Sequence, residues 1–454
     1  MQPKLQKTFV IAAAVLTAVL LYFLLPYEEK VNKGLAILAF VAILWLSEAI
    51  HITITALLVP VLAILFGLEQ TKPALQAFAN PTIFLFFGGF AIATALSVQR
   101  LDQYIANRVI TLAKGNFTIA IFLLFSVTAL LSMGISNTAT TAMMIPLAIG
   151  LLKSIDYNTH KGTYAFVILG IAYSANIGGM GTLVGSPPNA IVASQLHLNF
   201  ADWLKYGIPA MIGLMPLMFL TLFIIFKPKL NIKIDTKQKI EKLNTKQYIT
   251  IAIFVTTALC WIFGSYINEA FTGILHIEAI KEFDSVVAMI AAVLICISGV
   301  ADWKQVQDNT DWGVLMLFGG GLTLSAILKN SGADKAMVDA IVVLIEGKHY
   351  YLIGILVATF IIFLTEFTSN TASAALLVPI FISIAEALNM NPLGLSLIIG
   401  LGASCAFMLP VATPPNAIAY GTGMVSQQSM VRTGILLNVF SILLIATIAY
   451  WFWF

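Results

Sequence analysis

Charged residues are scarce in this chain. Only 10% of its 454 residues are Asp, Glu, Lys or Arg, whereas a soluble domain carries about 25%. Hydrophobic residues make up 59%, and the mean hydropathy is +0.95. This composition excludes a soluble catalytic domain and indicates an integral membrane protein. The apolar runs approach the ~20 residues that one helix needs to cross a bilayer, so we predict an all-α polytopic protein rather than a barrel of short strands.

Cysteine and histidine are also few, and neither forms a ligand pattern. Cys260, Cys296 and Cys405 lie in apolar runs without CxxC spacing, which favours packing over disulfides or metal binding. The five histidines lie in loops or at the ends of spans. No HExxH, Walker or GxSxG motif occurs, so an intramembrane enzyme would lack a metal site or a nucleophile–base pair.

The apolar runs predict about 11 transmembrane helices. The first follows Lys4 and Lys7 like a signal peptide, but it is long and no cleavage site follows, so we interpret it as a span. The predicted spans are 8–26, 34–50, 52–68, 81–110, 164–182, 207–227, 248–270, 284–300, 312–328, 392–410 and 433–454.

Two further apolar runs, about 117–152 and 350–388, carry a Ser-Asn-Thr triplet near their middles. Each run is too long for one crossing of ~20 residues and tight for two crossings with a turn. A re-entrant helical hairpin fits this length. Its non-helical tip is tolerated at membrane depth only where it lines a cavity or is buried in protein.

Three motifs recur in the same order in the two halves of the chain, which indicates duplication. They are Phe-Gly-Gly at 87–89 and 318–320, Ser-Asn-Thr at 136–138 and 369–371, and Pro-Pro-Asn-Ala-Ile at 187–191 and 414–418. We predict a leading span (1–33), a first repeat (34–227), a basic linker (228–247) and a second repeat (248–454). The Pro-Pro pairs predict a broken helix in each repeat, over about 164–198 and 392–422.

The predicted order of spans makes the two repeats inverted, because an odd number of crossings separates the hairpins. Residues 227–247 hold seven Lys against two acids. They could bind nucleic acid or lipid head groups, but their place between two spans favours a cytoplasmic loop, and we expect no nucleic-acid partner. The N-terminus is then cytoplasmic and the C-terminus outside. Inverted repeats with broken helices are typical of secondary transporters.

The repeated triplets offer groups for both a cation and an anion. Hydroxyl and carbonyl oxygens suit a hard cation such as Na⁺, whereas amide and hydroxyl donors suit a carboxylate. A hairpin tip also exposes helix-end carbonyls and helix-start N–H groups. The Pro-Pro breaks leave the carbonyls of Gly185 and Ala412 free. They also place Asn189 and Asn416 just inside the half-helix that follows each break.

Basic side chains are missing from the motif segments 132–146, 176–191, 362–379 and 401–418. A bound anion would therefore depend on Na⁺ and on helix N-termini for its counter-charge. In a site of low dielectric constant this dependence would make transport of the anion obligatorily coupled to Na⁺.

Two acidic residues, Glu48 and Glu366, lie in apolar sequence, where an ionisable group is a functional candidate by default. Glu366 could bind Na⁺ or a proton in such a position. Met133 occupies the matching position of the first repeat, however. We therefore favour a structural role for Glu366, in which it holds the hairpin by hydrogen bonds.

The paired triplets, the paired (Ser/Thr)-Pro-Pro-Asn breaks and the segments "LWLSEAI" and "TEFTSNT" resemble the divalent anion/sodium symporter family, especially its bacterial INDY-type dicarboxylate transporters. The resemblance spans essentially the whole chain. It implies a homodimer in membrane lipid, with a scaffold domain and a mobile transport domain in each protomer.

The resemblance also implies binding residues, position by position. One Na⁺ site would use Ser132, Ser136, Asn137 and the Gly185 carbonyl, and the other Thr365, Thr368, Asn370 and the Ala412 carbonyl. The dicarboxylate would contact Asn137, Thr138, Asn370 and Thr371, with walls formed by Ser186, Pro187, Thr413 and Pro414.

We therefore expect a Na⁺-coupled symporter that imports C4-dicarboxylates such as succinate, malate and fumarate by an elevator-type alternating-access mechanism. A Na⁺-independent exchanger of dicarboxylates or citrate is the alternative within transporters. An ion channel is a third interpretation, but channels generally build pores by symmetry between subunits, whereas this chain carries its symmetry internally.

Overall fold

The protein is all-helical in the computed structural model, which describes residues 3–153, 155–231, 242–345 and 347–454. Among these residues, eight helices are long and apolar enough to cross a membrane, and six shorter helices are also apolar. The predicted fold class is confirmed, whereas the number of about 11 crossings remains a prediction. The middle of the predicted linker, 232–241, lies outside the described residues.

The first half of the chain forms eleven α-helices among the described residues. They are α1 (Pro3–Leu24), α2 (Glu29–Ser47), α3 (Ile52–Leu65), α4 (Thr71–Gln76), α5 (Pro81–Val98), α6 (Leu101–Leu112), α7 (Phe117–Ser132), α8 (Asn137–Leu152), α9 (Lys161–Gly179), α10 (Pro187–Leu196) and α11 (Phe200–Phe226).

The second half repeats this order after the linker. Its helices are α12 (Thr245–Ile262), α13 (Gly264–Leu275), α14 (Phe283–Ile297), α15 (Trp303–Asn309), α16 (Trp312–Ser331), α17 (Ala333–Ile345), α18 (Tyr350–Thr365), α19 (Asn370–Ala387), α20 (Pro392–Ala403), α21 (Pro414–Gly421) and α22 (Gln427–Ile448).

Two predicted spans were wrong in extent. Residues 81–110 form α5 and α6 rather than one span, because Arg100 adopts a left-handed conformation (φ 53°) and turns the chain. Residues 248–270 likewise divide at Phe263 into α12 and α13. The second member of each pair carries polar residues such as Asp102 and Asn268 among its apolar ones, so it is an amphipathic helix rather than the end of a span.

Each predicted hairpin consists of two helices separated by four residues. Helix α8 restarts after Ser136, whose hydroxyl accepts from Ala139 N at 3.2 Å. Helix α19 restarts after Ser369, whose hydroxyl accepts from Ala372 N at 3.3 Å. The serine of each triplet is therefore the N-cap that allows a new helix to begin inside an apolar run.

The two halves interlock in a pseudo-symmetric way. Helix α5 packs against α14, and its counterpart α16 packs against α3. Glycines permit both contacts, because a Cβ at Gly88 would lie 2.4 Å from Ala288 O and a Cβ at Gly320 would lie 2.7 Å from Ala56 O. Helix α8 also contacts α21 of the other half, and α19 contacts α10. Each hairpin therefore meets the broken helix of the opposite repeat.

Substitution of Gly178 tests the close packing of the first hairpin against the first broken helix. A Cβ at Gly178 would lie 2.3 Å from Ala129 O, so Gly178→Ala must separate α7 from α9. We expect a loss of about 1–3 kcal/mol of stability from this overpacking, measured as a lower temperature of thermal unfolding of the purified protein.

Gly150→Ala is the matched control, because a Cβ added at Gly150 would meet no neighbouring group within 4 Å. It should leave stability unchanged or raise it by up to about 1 kcal/mol through helix propensity. Equal stability of the two variants would contradict the packing described here.

Candidate functional site

Helices α8 and α19 begin at the asparagines of the two triplets. The backbone N–H groups of Asn137, Thr138, Asn370 and Thr371 donate to no acceptor among the described residues. Unpaired N–H groups at a helix start, together with the helix dipole, attract an anion. The four residues predicted to contact the substrate thus occupy the first two positions of these two helices.

Oxygen atoms from three segments converge at the first tip. Ser132 donates its hydroxyl to Asn137 Oδ1. A Cβ at Gly179 would lie 2.5 Å from Asn137 Oδ1 and 2.9 Å from Gly185 O, and a Cβ at Gly185 would lie 2.6 Å from Gly179 O and 3.0 Å from Ser132 O. These neutral oxygens fit a hard cation, and only glycine leaves room for them at both positions. The Ser136 hydroxyl is not free to join this cluster, because it caps α8.

The second tip repeats part of this arrangement. Thr365 Oγ1 lies 2.5 Å from Asn370 Oδ1 and 3.0 Å from Ala403 O, which reproduces the Ser132–Asn137 pair. The Thr368 hydroxyl is engaged elsewhere, since it donates to Leu364 O at 3.0 Å and lies 2.8 Å from Ser373 Oγ. The Ala412 carbonyl accepts no hydrogen bond from any described residue. The structure thus brings Thr365 and Asn370 together and leaves Thr368 outside this pair.

The asparagines of the two Pro-Pro-Asn motifs bridge the breaks in α9–α10 and α20–α21. Each side-chain amide donates to two carbonyls upstream of its own half-helix. Asn189 Nδ2 donates to Gly179 O (2.9 Å) and Thr182 O (2.7 Å), and Asn416 Nδ2 donates to Ala406 O and Leu409 O (3.0 Å each). These bonds fix the shape of the loops that carry Gly185 and Ala412.

The predicted walls of the site come from both halves, and each is hydrogen-bonded to a residue of the opposite half. Ser186 Oγ lies 3.2 Å from Ser404 Oγ, and Asn176 donates to Thr413 Oγ1 at 3.1 Å. Ser186 and Thr413 are buried, whereas the neighbouring Pro187 is partly exposed and Pro414 is exposed. The predicted wall residues therefore lie at the starts of α10 and α21, which the hydrogen bonds tie to the opposite broken helices.

The family of the chain follows from its sequence as a whole. A family model described as the sodium:sulfate symporter transmembrane region matches residues 4–454. The chain belongs to the divalent anion/sodium symporter family. Members of this family are transporters, so the enzyme interpretation is excluded.

Several transporters align with this chain over most of their length. A transporter of Haemophilus influenzae is 63% identical over 430 residues, which cover 94% of this chain and 93% of that protein. A transporter of Methanocaldococcus jannaschii is 37% identical, with 96% and 97% covered. The sodium-dependent dicarboxylate transporter SdcS of Staphylococcus saprophyticus is 32% identical, with 95% and 88% covered.

Two solved transporter structures share the fold of this symporter at low sequence identity. The YdaH transporter of Alcanivorax borkumensis aligns with a TM-score of 0.59 at 12% identity and covers 99% of this chain and 98% of that one. MtrF of Neisseria gonorrhoeae aligns with a TM-score of 0.57 at 11% identity, with 100% and 95% covered. These likenesses support the fold alone.

Glu366 fastens the second hairpin of the symporter to the second broken helix. Its carboxylate is fully buried, and it accepts from the N–H groups of Phe407 (2.8 Å), Met408 (2.9 Å) and Leu409 (3.1 Å) and from Asn438 Nδ2 (2.8 Å). Four donors hydrogen-bond to this carboxylate, and among the described residues it donates to no acceptor. This is the hydrogen-bonding role that we favoured from the sequence.

Glu48, the other acidic candidate, is exposed in the turn between α2 and α3, where it adopts a left-handed conformation (φ 48°). Its side chain is therefore not packed in the protein interior, in contrast to that of Glu366. Sequence reasoning also missed Asn176 and Ser404, which face the walls of the site. Both are isolated polar residues that replace apolar ones of the other repeat, and this asymmetry was the signal that could have found them.

Neutralising Glu366 tests its structural role. Glu366→Gln would place an N–H donor against one of the backbone N–H groups that now donate to the carboxylate. We expect a loss of about 1–3 kcal/mol of stability, which is the usual cost of a buried unsatisfied group. Thermal unfolding of the purified protein measures it. Glu48→Gln is the control and should change nothing, whereas wild-type stability of Glu366→Gln would contradict the role.

Proposed function

We propose that the protein is a Na⁺-coupled symporter that imports C4-dicarboxylates such as succinate, malate and fumarate. Membership of the family supports sodium-coupled anion transport, and the name of the SdcS relative supports the dicarboxylate class. The symporter would act as a homodimer in membrane lipid, in a bacterial inner (plasma) membrane, with the N-terminus and the linker 228–247 in the cytoplasm and the C-terminus outside.

The proposal rests on one observation: the side-chain amides of Asn137 and Asn370 can each serve both a cation and an anion. In each residue Oδ1 accepts from a hydroxyl on the preceding helix, beside the proposed cation ligands. Each Nδ2 is left without an acceptor among the described residues, so it is available to a carboxylate. One amide side chain can thus face a cation with its oxygen and an anion with its nitrogen.

The proposed Na⁺ ligands are those that the resemblance implies, and the geometry gives them unequal support. The group of Ser132, Asn137 and the Gly185 carbonyl gathers oxygens from three segments. The Thr365–Asn370 pair provides a second, smaller group, with the free Ala412 carbonyl in the neighbouring loop. Ser136 and Thr368 would take part through backbone carbonyls or after a change of side-chain rotamer, because their hydroxyls are engaged elsewhere.

Coupling follows from the charges around these groups. The motif segments contain no Lys or Arg, so a dianion meets only helix N-termini and neutral donors until cations bind. In a partly dehydrated site two negative charges need closer compensation than dipoles supply. Na⁺ would therefore bind first and complete the electropositive floor on which the dicarboxylate then rests, between Asn137, Thr138, Asn370 and Thr371 and the walls.

Asymmetric packing supports alternating access by an elevator-type movement. Helix α19 packs along α16, whereas among the described residues α8 makes no comparable contact with its pseudo-symmetric partner α5. In an inverted repeat the opposite-facing state is expected to exchange these two contacts. The hairpins and broken helices would then slide together, as one transport domain, past a scaffold that contains α5 and α16.

Uptake into proteoliposomes tests the proposed function. Purified protein should accumulate radiolabelled succinate when an inward Na⁺ gradient is imposed and should not do so when K⁺ replaces Na⁺. Asn137→Ala and Asn370→Ala should each abolish uptake, because each removes a cation ligand and an anion donor at once. Asn309→Ala, on the exposed side of α15, is the matched control and should transport as wild type does.

Accumulation that persists without Na⁺ would overturn the coupling. Succinate movement that requires a dicarboxylate on both sides and ignores Na⁺ would instead identify the exchanger. A panel that includes citrate and sulfate, measured with and without the Na⁺ gradient, establishes the substrate class.

A further inference from the structure

The amide of Asn416 has a fixed orientation. Its Nδ2 donates to the carbonyls of Ala406 and Leu409, both at 3.0 Å, and this uses both of its N–H groups. Its Oδ1 must therefore point the other way, toward Asn176 on α9, where the amide nitrogen lies 3.3 Å from it. Because an oxygen faces Asn176, the Asn176 amide must present its Nδ2 here and not its Oδ1.

This orientation determines the state of the Thr413 hydroxyl. The same Asn176 Nδ2 donates to Thr413 Oγ1 at 3.1 Å, and the backbone N–H of Asn416 donates to it at 3.3 Å. A threonine hydroxyl has two acceptor lone pairs and one hydrogen. Both lone pairs are occupied, and no described residue accepts the hydrogen. The Thr413 hydroxyl can therefore act toward a ligand only as a donor.

We propose that Asn176 is a positioning residue for substrate selection, which acts by committing the Thr413 hydroxyl to donate to an anionic oxygen of the substrate. This inference rests on the proposed function, because Thr413 is one of the proposed walls of the dicarboxylate site. Asn176 is itself 2% exposed and lies on the broken helix of the first half, whereas Thr413 belongs to the second. A residue of the first half thus determines that the Thr413 hydroxyl, in the second half, donates rather than accepts.

The opposite wall, at Ser186, has no residue that fixes the direction of its hydroxyl among the described residues. Ser186, the counterpart of Thr413, receives no N-cap hydrogen bond, and its only side-chain partner among the described residues is the Ser404 hydroxyl at 3.2 Å. Either hydroxyl can donate in that pair, so Ser186 can accept or donate. The residue that matches Asn176 in the second repeat is Ala403, which cannot fix Asn189. Accordingly Asn189 Oδ1 is buried without a hydrogen-bond partner. The two walls therefore differ in the ligand groups that they accept.

A double-mutant cycle between Asn176 and Thr413 tests the proposal in proteoliposomes. Asn176→Ala frees a lone pair on Thr413, so its hydroxyl can rotate away from the substrate. We expect the KM for succinate to rise about tenfold, the usual effect of one hydrogen bond to a charged group, with little change in maximal rate. In a Thr413→Val background the same substitution should change KM by less than about twofold, because coupled residues are not additive.

Two matched variants separate positioning from a general structural role. Thr413→Ser keeps the hydroxyl, so Asn176→Ala should again raise KM in that background. Thr323→Val also removes a buried hydrogen bond between the halves, from Thr323 Oγ1 to Ala74 O at 3.0 Å, but it lies outside the proposed site, so its KM should match that of wild type. Thermal unfolding of each variant is measured alongside. A merely structural Asn176 would lower stability and maximal rate equally in the wild-type and Thr413→Val backgrounds.

The outcomes distinguish this proposal from the proposed function. An equal KM effect of Asn176→Ala with and without the Thr413 hydroxyl would overturn the positioning role even if succinate uptake is driven by Na⁺. If the wild type transports radiolabelled sulfate but not succinate, the dicarboxylate assignment falls, and the same cycle with sulfate decides the role of Asn176. If neither anion is transported, both proposals fall.

Discussion

The other properties of this symporter depend on backbone polar groups that are left unpaired where helices end inside an apolar bundle. A helix that ends within a membrane protein leaves carbonyls and N–H groups without partners, at considerable cost unless something else satisfies them. The chain incurs this cost at four breaks, two in hairpins and two in broken helices. Serine caps, Asn189, Asn416 and Glu366 satisfy some of the released groups. Those left over are the groups that a cation and an anion need.

Duplication of the chain explains why the helix breaks come in pairs. Residues that differ between the two repeats explain how the two hairpin tips differ. Ser132 and Asn137 have the counterparts Thr365 and Asn370 in the same hydrogen-bonded arrangement. By contrast, Glu366 adds a buried charge beside the second tip only. Asn176, which also lacks a polar counterpart, donates a hydrogen bond to Thr413 of the opposite half. The two ends of the proposed site therefore differ in their polar groups.

The sequence predicted the helical class, the hairpins and the broken helices because each rests on a local and repeated signal. Proline pairs forbid a continuous helix, and a Ser-Asn-Thr triplet supplies its own cap. Helices α6 and α13 were missed because an amphipathic helix that continues a span in sequence has no separate hydrophobic signal. The exposure of Glu48 and the contacts of Asn176 depend on which distant segments pack beside them, and composition alone does not contain that information.

The central claim is that the anion is held through bound cations and not by basic side chains. It is tested most directly by measuring succinate binding to the detergent-purified protein by calorimetry while the Na⁺ concentration is varied at constant ionic strength. If cations hold the anion, the apparent affinity rises steeply with Na⁺, the dependence exceeds first order when both tips bind a cation, and K⁺ does not replace Na⁺. Succinate binding of equal affinity with and without Na⁺ would contradict the claim.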